Sequence, residues 1–159
     1  MPDHFTPGQR GIITGARREF RHLLKRWGNY LEKGEWVTTD RIIGGYNPSN
    51  PSDHYIGSSK EGSAEFSRLD NGHLKATLYM PLVTDKTPLK MEFIVALDPY
   101  DRTFIGIGGI VDGAKSTVGT ATGSFDPKQG VLNWNDMGPG VGSLDGSTLI
   151  RTWGFVDIG

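Results

Sequence analysis

The chain has 159 residues and a formal charge of −1, enough for the core of one domain and without the positive field that would draw it onto nucleic acid. It holds no cysteine, which removes disulfides, thiolate nucleophiles and cysteine-ligated zinc or iron–sulfur centres. No stretch approaches the roughly 18 apolar residues of a membrane span. The start, Met1-Pro2-Asp3-His4-Phe5, lacks the apolar run of a secretory leader. The expectation is a cytoplasmic protein with no membrane span and no nucleic-acid partner.

Thr6-Pro7-Gly8-Gln9 predicts a helix start, with threonine as N-cap, proline at the first helical position and glutamine placed to complete a capping box. Ala16, Phe20, Leu23, Leu24, Trp27, Tyr30 and Leu31 then recur at three- and four-residue steps and draw one apolar stripe, which Lys33-Gly34 ends. Gly8, Gly11 and Gly15 weaken the first turns and place the firm helix from near Thr14. Arg10, Arg17, Arg18, Arg21, Lys25, Arg26 and Lys33 against Glu19 and Glu32 make the helix net +5 and leave −6 on the rest of the chain. Three roles fit: a solvated face on a helix docked to an acidic barrel, a lid over the barrel mouth, or contact with an acidic partner or surface.

After Gly34 the period changes to two, and residues 34–159 read as the β domain behind a helical segment, 1–33. Glu35 to Ile43 is the first strand, and Gly44 to Asp53, with Asn47-Pro48 and Asn50-Pro51, reads as a long turn-rich loop. Ser63 to Leu69 and His73 to Met80 flank Asp70-Asn71-Gly72, a strong hairpin signal. Leu89 to Leu97, Thr103 to Val111, Thr117 to Phe125, Val131 to Asp136 and Thr148 to Val156 complete eight strands. Their short connections demand antiparallel neighbours, and the fold class follows: mainly β, an antiparallel up-and-down barrel of about eight strands behind an N-terminal amphipathic helix.

Alternation in Leu74, Ala76, Leu78 and Met80 against Lys75, Thr77 and Tyr79, and in Leu89, Met91, Phe93, Val95 and Leu97 against Lys90, Glu92 and Ile94, buries one side of each strand. Either the apolar set fills the barrel, or it packs under the helix while Tyr79 and Glu92 line a cavity. Gly106 and Gly108 leave two successive positions of one face bare, which makes room for a ligand or relieves a sharp bend. Glu92, mid-strand, is the candidate acid or base if desolvated, and otherwise pairs with Lys75 or Lys90. Tyr79 is the candidate hydrogen-bond donor, with Trp36, Trp134 and Trp153 as core or pocket walls. His4, His22, His54 and His73 show no metal-ligand spacing, no Gly-x-Ser-x-Gly occurs, and the glycine loop Gly138 to Gly146 lacks a phosphate-loop lysine, so neither metal nor cofactor is expected.

The run from Leu97-Asp98-Pro99-Tyr100 through Gly119-Thr120-Ala121-Thr122-Gly123-Ser124-Phe125-Asp126 to Gly130-Val131-Leu132-Asn133-Trp134 resembles a family of uncharacterised lipocalin-like barrel domains. Gly34-Glu35-Trp36 partly echoes the glycine-x-tryptophan of lipocalin first strands, and the long basic helix is a departure. The resemblance implies an interior binding site and carries no catalytic residues. Small barrel cyclases of specialised metabolism offer an architectural analogy, because pericyclic or isomerising reactions need only a folded substrate and excluded water. The expected function is binding of an apolar small molecule in the barrel, with cofactor-independent cyclisation or isomerisation. The rivals are a passive carrier or sensor, and a structural module whose basic helix docks a partner; a homodimer is left open.

Overall fold

The computed structural model describes residues 6–38, 43–47, 50–57, 62–81, 88–112, 115–116, 118–139 and 148–159. Helix α1 spans Pro7–Lys33, so it begins a full two turns ahead of Thr14. The capping box explains the early start: Thr6 Oγ1 accepts from the Gln9 backbone N–H at 3.2 Å, and Gln9 Oε1 accepts from the Thr6 N–H at 2.9 Å. Two donors that would otherwise be orphaned are satisfied, and Pro7 brings none, which offsets the weak propensity of the early glycines.

The strands are β1 (Trp36–Thr38), β2 (Ile43–Asn47), β3 (Asn50–Gly57), β4 (Ser63–Arg68), β5 (Leu74–Pro81), β6 (Pro88–Asp98), β7 (Thr103–Asp112), β8 (Lys115–Ser116), β9 (Gly119–Asp126), β10 (Val131–Pro139) and β11 (Thr148–Asp157). Every pairing is antiparallel, in the order β1-β4-β5-β6-β7-β9-β10-β11, and β11 returns to β1 through Trp36↔Asp157 and Thr38↔Phe155. The result is a closed eight-stranded barrel with one N-terminal helix. The hairpin β2–β3 joins it through β2 and β11, and β8 extends the β7–β9 ladder on an unchanged offset.

This hairpin corrects the expectation of a loop over Gly44 to Asp53. A residue before proline is driven into extended backbone, and proline is tolerated near the start of an edge strand, so Asn50-Pro51 opens β3 instead of preventing it. Of the glycine loop expected from Gly138 to Gly146, Gly138 and Pro139 belong to β10; residues 140–147 lie outside the described residues, as does His4. The tight connections form as their chemistry demands. Gly72 and Gly130 take φ of +84° and +66° in the β4–β5 and β9–β10 turns, and Asp98 Oδ1 accepts from the Tyr100 and Asp101 N–H groups between β6 and β7.

Inward positions carry the core: Ala64 and Phe66 from β4, Leu74, Ala76 and Leu78 from β5, Met91, Phe93 and Val95 from β6, and Leu132 and Trp134 from β10. The apolar set therefore fills the barrel and the polar set meets water. The C-terminal half of α1 closes the barrel end at the β4–β5, β6–β7 and β9–β10 turns. Tyr30 packs against Trp36 and Phe125 at ring separations of 5.7 and 6.0 Å, Trp27 against Phe125 at 5.8 Å, and Trp36 Nε1 donates to Leu31 O at 3.0 Å. Gly28 is buried because Arg68 lies across it, donating to Lys25 O and Asn29 Oδ1 and facing Glu32 at 3.9 Å.

Candidate functional site

Strand alternation decides where each candidate stands. In β5 the even positions face inward, so Tyr79 points out; in β6 the odd positions face inward, so Glu92 points out. The Glu92 carboxylate lies 3.3 Å from Lys90 Nζ and 3.6 Å from Lys75 Nζ, and Lys90 Nζ stands 5.9 Å from the centre of the Tyr79 ring. Glu92 and Tyr79 are thus brought together, but in a half-exposed ion-pair cluster on the outer wall. Trp134 is on the opposite side of that wall, fully buried, with Phe93 and Phe104 at 5.1 and 5.3 Å. The three residues expected to meet in one pocket do not meet.

Trp36 is engaged by α1 through its bond to Leu31 O, so it latches the helix to the barrel. Trp153 is buried on the inner face directly across the ladder from Trp134. Gly106 and Gly108 also face inward, between exposed Ile105 and Ile107. A Cβ at Gly106 would stand 2.6 Å from Val95 Cγ1, and one at Gly108 would run into Glu92 O and Phe93 Cα. Both glycines let β6 and β7 coil closely, and the Phe104 ring lies across Gly123 in the same way.

The inner face away from α1 holds a residue that the sequence reading passed over. Asp136 is 3% exposed and accepts from Trp134 Nε1 through Oδ2 at 3.1 Å. Its row across the barrel wall continues through Ala121 to Gly106 on one side, and Arg151 stands opposite it in the β11 ladder. The next row toward the far end begins Gly108 and Gly119, with Gly138 beside them. Around one buried carboxylate, three adjacent strands therefore present glycine and alanine. Leu132, Trp134 and Asp136 share a parity, so extending the period-two count by one step finds this residue.

Thr38 is also polar and buried, the second such residue among the described ones, and its Oγ1 accepts from the Gly62 N–H at 3.2 Å. Among the described residues no three His, Asp or Glu side chains cluster closely enough to hold a metal ion. No helix among them is long and apolar enough to cross a membrane. Comparison with protein-family models, curated proteins and solved structures finds no match to the chain.

Proposed function

We propose that the barrel binds an apolar small molecule from the end opposite α1, in the manner of lipocalin-like barrels, and that Asp136 holds the one polar group of that molecule. The observation that carries this reading is the Asp136 carboxylate, 3% exposed on an inner face that is mostly apolar among the described residues and next to the small side chain of Ala121. A charge removed from water is costly, and a fold needing only a packed core is served better by an apolar residue there. An apolar site with one well-placed polar group is the usual form of a small-molecule pocket. The ligand class is an apolar skeleton with a hydroxyl or amine donor.

Such a site would also favour cyclisation or isomerisation, by holding a flexible skeleton folded and away from water. Asp136 is then the group that passes a proton, rather than Glu92, whose carboxylate two lysines hold at the surface. A thermal-shift screen of polyketide-, terpenoid- and fatty-alcohol-like compounds tests the reading, with each alcohol paired to its methyl ether. Alcohols are expected to stabilise the wild-type protein above their ethers, and Asp136→Asn to reduce that preference. Absence of stabilisation by any compound, or equal response to alcohols and ethers, would remove the reading.

A further inference from the structure

One row of the inner face brings two opposite charges together. Asp136 stands directly across from Arg151 in the β10–β11 ladder. Trp153 and Phe155 of β11 are buried in the core, and Arg151 follows the same alternation, so its position falls on that inner face. Beyond Arg151 the row continues to Gly45 of β2 and Tyr55 of β3, and beyond Asp136 to Ala121 of β9. An acid and a base are thus neighbours in register, with a glycine on one side of them and an alanine on the other.

The rows above and below are apolar. Toward α1 the next inner row sets Trp134 across from Trp153, both buried. Toward the open end, the same alternation places Leu149 of β11 and Ile110 of β7 on the inner face. Core packing alone does not call for the charged row. Opposite charges on an inner face lose more hydration than apolar side chains of similar volume, and replacing such a pair by apolar residues is often neutral or stabilising. Residues facing one another in an antiparallel ladder have Cβ atoms about 5 Å apart, close enough for both to address neighbouring groups of one ligand. A guanidinium is always charged at neutral pH, and its fork of donors matches a carboxylate.

On the premise that the barrel binds a ligand beside Asp136, we infer that Asp136 and Arg151 together recognise a head of two groups. Arg151 takes a carboxylate and Asp136 takes an adjacent hydroxyl or amine donor. The ligand class is an apolar chain that ends in a hydroxy acid or an amino acid. Its head enters first, because the fully buried Trp134 closes the barrel beneath the charged row, and its chain extends toward Leu149 and Ile110. A simple alcohol satisfies only the Asp136 half of the row, and a simple fatty acid only the Arg151 half.

Isothermal titration of the full chain with β-hydroxylauric acid, its methyl ester and its β-methoxy counterpart tests this. The wild type is expected to bind the hydroxy acid more tightly than either capped form, each by on the order of tenfold, as suits a hydrogen bond to a charged group. Arg151→Gln is expected to erase the preference for acid over ester and to keep that for hydroxyl over ether, and Asp136→Asn to do the reverse. Loss of one charge can unfold a protein that buries its partner, so the double variant Asp136→Asn/Arg151→Gln, neutral in this row, is the control. It should lose both preferences and still bind the ester. Equal binding of acid and ester by the wild type would overturn the inference, as would a preference for the acid that survives Arg151→Gln. Either result would leave the hydroxyl preference of Asp136 standing, whereas no binding of any of the three compounds would remove that reading as well.

Discussion

Asp136 and Glu92 put the same functional group into opposite surroundings. Glu92 stands among lysines at the surface, where ion pairs contribute at most about 1 kcal/mol. Glu92→Gln is expected to shift unfolding in urea by no more than that, and to leave ligand stabilisation unchanged. Trp134 holds the Asp136 carboxylate and fills the centre of the core, so Trp134→Ala is expected to cost about 3–5 kcal/mol in the same measurement. Of these residues, Asp136 was legible in principle from strand parity. The role of Gly106 and Gly108 was not, because a missing side chain reads the same whether it opens space or admits a neighbouring strand. The burial of Trp36, Trp134 and Trp153 was legible, but not what each one touches, since their partners come from distant strands and from α1.

At the scale of elements, α1 divides into a docked half and an exposed half, and each answers to its own perturbation. Burial holds the Tyr30 phenol above its ordinary value, and the Asp157 and Asp126 carboxylates push it the same way. Below the ordinary tyrosine value of about 10, the phenol is neutral in both folded and unfolded chains and adds no pH dependence. Above it, the unfolded chain releases the proton while the folded chain still holds it, so stability falls as pH rises. Thermal melts between pH 9 and 11 should show this decline in the wild type and a shallower one in Tyr30→Phe. In the exposed half, a Cβ at Gly11 or Gly15 meets nothing, so Gly11→Ala and Gly15→Ala are expected to raise helical circular dichroism, by about 1 kcal/mol of propensity each. Element boundaries were legible where local chemistry sets them, as at the Thr6 capping box and the Gly72 and Gly130 turns. The β2–β3 hairpin was hidden by its proline dipeptides, although Asn50-Pro51 is compatible with the start of an edge strand.

Across the whole molecule, closure of the barrel follows from eight staves whose inner faces carry aromatic and branched side chains, with a helix sealing one end. Strand number and the antiparallel order were readable from turn spacing. Two global features were not: the course of α1 over the barrel end, and the exposure of Ile105 and Ile107 in β7, which in sequence look like a buried strand. The charge division between helix and barrel was visible at the outset. The central claim is that a ligand enters the barrel beside Asp136. The most direct measurement is the indole N–H spectrum of 15N-labelled protein during titration with the most stabilising alcohol. The account predicts that the Trp134 signal moves with saturation while the signal of Trp27, on α1, stays fixed, and that Asp136→Asn abolishes the movement. A Trp134 signal that stays fixed while the Trp27 signal moves would contradict it and place the ligand at the helix.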